Sequence, residues 1–159
     1  MEFLSRTFEE IFQGKELGID TRSMLLIFRN NFQAAILGLF GGIIIGIIPL
    51  LSVAFNLFIL GYLSGFLATA KTQGLLIFAV TILPHGVVEI PLFLLAASFG
   101  IRLGFFWRLK EPISDWEKLK KCMKDNLKLV PLLFVGFLLA AFLEIFVSGW
   151  LAEQYVGKF

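Results

Sequence analysis

The chain has 159 residues, 58% hydrophobic and 16% charged, and its mean hydropathy of +0.87 lies well above that of an ordinary soluble domain. A net charge of +2 gives no support to a nucleic-acid partner. The single cysteine, Cys122, excludes an intrachain disulfide and offers no metal-ligand spacing, so it reads as a small filler residue. The composition is that of an integral membrane protein.

The charges are segregated. None falls between Arg29 and Lys71, only Glu89 between Lys71 and Arg102, and only Glu144 between Lys128 and Glu153. Those gaps are the expected membrane segments. The first 22 residues are too polar for a signal peptide, so the N-terminus is expected to be retained and cytoplasmic. Residues 2–13 place Phe3, Leu4, Phe8, Ile11 and Phe12 on one face and Arg6, Glu9 and Glu10 on the other, the pattern of an amphipathic helix at a surface. Asp20 or Thr21 then offers an N-cap.

Residues 21–48 and 50–70 predict a tight transmembrane hairpin interrupted at Pro49. Gly38, Gly42 and Gly46 recur every four residues in the first span, and Gly61 and Gly65 in the second. This small-residue spacing predicts close helix packing and is consistent with a homodimer.

Residues 74–107 do not divide cleanly. They are too long for one span of a hydrocarbon core about 30 Å thick and too short for two, which need about 40 residues. Proline suits a first helical turn and disfavours helix in the residue before it, so Pro84, followed by Gly86, predicts an elbow. The region then reads as a broken, re-entrant hairpin entering and leaving on one side. The positive-inside rule agrees, because residues 102–128 hold eight of the fourteen Lys and Arg residues and are expected in the cytoplasm beside the N-terminus. Within them, Ser114 and Glu117 have capping-box spacing, and 112–128 reads as an interfacial helix near anionic headgroups. The last span is expected over 129–152, with Pro131 in its first turn.

His85, Glu89 and Glu144 are the ionisable residues inside these apolar runs. Such groups are costly at bilayer depth, roughly 2.5–3.5 kcal/mol for a charge at a helix centre on the lenient scale, and they face a protein interior with partners. His85 and Glu89 lie four apart and share a helix face. Glu144 is the candidate to approach them, and Asn31, Asn56 and Arg102 are supporting polar residues. Four readings stay open: a buried network that orients helices, an ion or proton pathway, a divalent metal such as zinc on the three residues, or metal-assisted hydrolysis. The last is weakened because a metalloprotease of the H-E-x-x-H type uses two histidines and this chain has one. A Ser-His-Asp set is not expected, since no serine or aspartate is placed with His85 in the membrane region.

The run Leu83-Pro84-His85-Gly86-Val87-Val88-Glu89-Ile90-Pro91, followed by Gly100-Ile101-Arg102-Leu103-Gly104, resembles the signature of the stage II sporulation protein M family. Asn30-Asn31, Asn56, Gly61 and Ala140-Ala141-Phe142-Leu143-Glu144-Ile145-Phe146 extend the resemblance over roughly Asp20 to Leu151. It implies a multi-pass protein of the cell membrane that assembles with other membrane or cell-envelope proteins. The expected architecture is therefore all-α, with three full spans, one broken hairpin and flanking amphipathic cytoplasmic helices. The expected function is a non-enzymatic membrane scaffold with a His/Glu polar centre. A small transporter or channel, or an intramembrane metal-dependent hydrolase, is the alternative.

Overall fold

A computed structural model describes residues 19–43, 46–69 and 74–151. Every regular element among them is helical. Four helices make the fold: α1 (Thr21–Phe40), α2 (Ile47–Thr69), α3 (Gly74–Gly104) and α4 (Asp115–Phe142), with short 3-10 turns at Gly41–Ile43 and Phe106–Arg108. The amphipathic segment expected at 2–13 lies outside the described residues.

Asp20 caps α1 as expected, its Oδ1 accepting from the Ser23 amide at 2.7 Å, and that bond holds its carboxyl below the usual range. The same logic starts α4. Ser114 Oγ accepts from the Glu117 amide at 3.3 Å while Glu117 accepts from the Ser114 amide at 3.0 Å, the reciprocal exchange of a capping box. Pro49 is the third residue of α2, where a missing N–H costs nothing.

Two expectations built on proline are corrected. α3 is one helix of 31 residues with Pro84 and Pro91 inside it, so no elbow divides residues 74–107 and there is no half-span hairpin. Each proline removes one intrahelical donor, leaving the carbonyls of Val80 and Val87 without their i+4 partner, but neighbouring helices and local adjustment allow proline within membrane helices. α4 likewise runs without a joint through Pro131, which is its seventeenth residue, not the start of a span. The expected interfacial helix and last span are one element.

α1 and α3 run side by side in the same direction. A Cβ on Gly100 would strike the carbonyl of Gly38, one on Gly42 the backbone of Gly100, and one on Gly104 the backbone of Gly42 and Gly46 in the turn after α1. Gly46, at φ +66°, completes this contact against Phe105 at the turn into α2, a left-handed conformation that glycine adopts without a Cβ penalty. Packing therefore accounts for Gly42 and Gly46, while Gly38 contributes the carbonyl that Gly100 lies against. It does not account for a missing side chain at Gly38, Gly61 or Gly65, around each of which a Cβ would meet nothing within 4 Å, so among the described residues the expected close contact is not made at Gly61 and Gly65.

α4 runs antiparallel to both. Gly136 lies against Leu92, Gly149 against Ile19, and buried Asn126 donates to the Leu39 carbonyl at 2.7 Å. Phe93 and Phe137 meet edge to face at 4.8 Å in a core with Ala35, Leu39, Ala96 and Leu133. These contacts put Asp20 and Gly149 at one end of the bundle and Gly42, Arg102 and Asp125 at the other, about 30 Å away along the 20 residues of α1. The basic 102–128 segment thus does not sit beside the Asp20 end, as the re-entrant reading required.

Thr21–Ile43, Ile82–Gly104 and Asp115–Leu151 are long and apolar enough to cross a membrane, and Ile47–Tyr62 is a shorter apolar helix. Exposed Leu51, Phe55 and Phe58 on α2 and Leu132, Val135 and Leu139 on α4 form outer faces that water would not favour. Three such helices and this apolar exterior make a membrane location the plain reading.

Candidate functional site

α3 and the end of α4 build the site as two facing pairs. On α3, His85 and Glu89 lie one turn apart. Opposite them α4 passes into a π-helical segment, Leu143–Ser148, in which the Gly149 amide bonds the Glu144 carbonyl. Such widened turns occur frequently at functional sites. Here Glu144 and Ser148 line the same cavity as His85 and Glu89.

One candidate ligand atom from each of His85, Glu89 and Glu144 lies within 4.8 Å of the other two. The pairing of Glu144 with the α3 residues, expected from the cost of leaving it in lipid, is thus present in the fold. All three are half-buried. A zinc ion binds nitrogen and carboxylate oxygen at about 2.0–2.2 Å, which puts tetrahedral donors about 3.4 Å apart. Inward movement of at most about 0.8 Å by each ligand atom would close the set on such an ion. The donor types, one imidazole and two carboxylates, suit zinc and other first-row divalent ions.

A cavity of about 500 Å³ opens beside the cluster. Asn56 of α2 lines it as well, and its Nδ2 donates to the Ser52 carbonyl at 2.9 Å. Gly86 is part of the wall, not of an elbow. Arg102 belongs elsewhere: it pairs with Asp125 at 3.0 Å near the far end of α3. Asn31 is half-buried on α1 and is not among the lining residues.

Ser148 is the residue that sequence reasoning excluded. It is buried, and its Oγ lies 3.4 Å from His85 Nδ1, so a serine does stand with the histidine. The available signal was its spacing, four residues after Glu144, which repeats the spacing of His85 and Glu89. Gly100 and Gly104 were also missed as packing residues, although they form a G-x-x-x-G pair.

Residues 2–149, which include this cluster, match the model described as stage II sporulation protein M. The chain belongs to the stage II sporulation protein M family. Among relatives of this family member, an uncharacterized protein of Methanocaldococcus jannaschii is 30% identical over 132 residues, covering 79% of this chain and 71% of the relative. A second uncharacterized protein of the same organism is 30% identical over 126 residues, covering 76% of this chain and 53% of the relative. The chain therefore spans about half of that second protein. No solved structure matches it.

Proposed function

We propose that this member of the stage II sporulation protein M family is a membrane cation-binding protein, and that it holds one divalent ion of the zinc class on His85, Glu89 and Glu144. The observation that carries this reading is the convergence of three ligand atoms within 4.8 Å beside an open cavity of about 500 Å³. A polar network whose only task is to orient helices gains from tight packing around it. This cluster has space beside it, which suits the open coordination positions that a functional metal site keeps.

The test is direct. Purified protein exposed to excess zinc and then dialysed is expected to retain about one zinc per chain by elemental analysis, the stoichiometry of a single site. Protein that retains none would return the cluster to the scaffold reading. An assembly role of the kind the family resemblance implies would use the outer faces of the bundle and is independent of this result.

The orientation follows from the basic end of the bundle. Eight of the fourteen Lys and Arg residues lie in 102–128, and the positive-inside rule favours the cytoplasm for them. With α3 crossing once, the Asp20 end faces the other side. Ile19 and Ile113 are both exposed. In a Cys122→Ser background, cysteine placed at position 19 is expected to react with an impermeant maleimide on intact cells, and cysteine at 113 only after lysis. The opposite pattern reverses the orientation.

A further inference from the structure

The cavity is larger than a cation requires. Three waters completing a six-coordinate ion would fill roughly 90 Å³ at about 30 Å³ each, a small part of about 500 Å³. The remaining wall is mostly apolar, with Val53, Leu60, Ile82 and Phe93 among its residues. Apolar cavities shed water and accept apolar ligands. The volume lies within the range of about 300–1,000 Å³ typical of sites for small molecules, which combine apolar walls with a few convergent polar groups.

The entrance is lateral. Leu57, Ile90 and Leu94 line the cavity and are also 52%, 36% and 48% exposed on the flank of the bundle. Ile90 and Leu94 lie eight and twelve residues into the apolar span Ile82–Gly104, about 12 and 18 Å from its start at 1.5 Å each. An opening at this height faces hydrocarbon, so the ligand that reaches it is one that partitions into the bilayer.

Charge selects its head. Metal-bound carboxylates are deprotonated, so Glu89 and Glu144 together balance a divalent ion, with His85 neutral. An added anionic head would leave a net negative charge in an apolar setting, which is costly. A neutral oxygen donor leaves the site balanced.

Resting on the cation reading above, we propose that the cavity binds a single-chain amphiphile. Its neutral oxygen head, a hydroxyl or a carbonyl, occupies an open position on the cation, and its chain lies along the apolar wall toward α2.

The experiment uses the full chain in lipid nanodiscs, with and without zinc, and a photoactivatable long-chain alcohol. The matching long-chain carboxylic acid is the comparison probe. Labelling is expected on cavity residues of α2 and α3, with the alcohol above the acid and only with zinc bound. Leu60→Trp fills the cavity, and Leu57→Trp narrows its entrance at an exposed position that tolerates bulk. Either is expected to cut labelling about tenfold, equivalent to about 1.4 kcal/mol, while zinc content of the same samples stays at the wild-type level. Undiminished labelling in both variants overturns the amphiphile site, as does stronger labelling by the acid. Labelling of the cavity that is equal without zinc overturns the cation-held arrangement. Wild-type protein that takes up no zinc is recognised by elemental analysis and removes the cation reading itself, and this proposal with it.

Discussion

Gly100→Ala is expected to destabilise the bundle by about 3 kcal/mol or more, at or above the upper end of the usual 1–3 kcal/mol for overpacking. The added Cβ would strike the Gly38 carbonyl, and the Leu39 carbonyl would stand 3.3 Å away. Both are backbone atoms of a helix, so neither can rotate aside as a side chain does. Relief requires α1 and α3 to separate, and separation pulls apart contacts around Gly42 and Gly104 on the same seam. The loss therefore spreads beyond one methyl group. Thermal unfolding in detergent, followed by size-exclusion chromatography, reads the effect. Gly61→Ala is the matched control, since a Cβ there meets nothing within 4 Å, and a surface change of this kind is within about 0.5 kcal/mol of neutral. Equal melting temperatures for the two variants would remove the α1–α3 seam from the account of stability.

Glu144→Gln is expected to weaken zinc binding by about 100-fold or more, because loss of even an outer-shell partner of a ligand typically costs about 10–100-fold. Glutamine keeps the shape and leaves the helix contacts of α4 in place, so melting temperature changes little. The charge balance changes as well: one carboxylate then faces a divalent ion in place of two. Glu89→Gln is expected to act alike, since it stands opposite in the same set. Ser148→Ala, which removes a hydroxyl 3.4 Å from His85 Nδ1, is expected to cost less than about tenfold, the lower edge of outer-shell effects. Zinc titration by calorimetry gives all three. A Glu144→Gln protein with wild-type affinity would take Glu144 out of the site.

Much of this site is written in the chain. His85 and Glu89 declare themselves by spacing, and Glu144 by the cost of a carboxylate in an apolar run with no partner on its own helix. Packing decides the rest. Local rules make Pro84 a helix start, yet α3 continues through it because one missing hydrogen bond weighs less than the contacts along both sides of the helix. That continuity moves residues 102–128 to the far end of the bundle, so the charge count alone misplaces them relative to Asp20. The glycine repeats look alike in the first two spans, and only Gly42 and Gly46, in the turn after α1, stand where a side chain would collide, because Gly100, Gly104 and Phe105 of the α3 end pack against them. No spacing within α2 reports that Gly61 and Gly65 face open space. Ser148 was hidden for a different reason. A serine near a helix end is common, and its meeting with His85 depends on a register 63 residues apart in the chain.

The jointless course of α4 has a mechanical meaning. Trp116 and Glu144 belong to one rod, 28 residues and about 42 Å apart, and no loop lies between them to absorb a displacement. A helix meeting a membrane surface through a hinge at residue 128 would let its basic end rock without disturbing the interior. Here a pull on the lysine-bearing turns is delivered along the axis to the carboxylate at the other end. The first departure from regular α-helix it meets is the widened turn at Leu143–Ser148, which carries Glu144 itself.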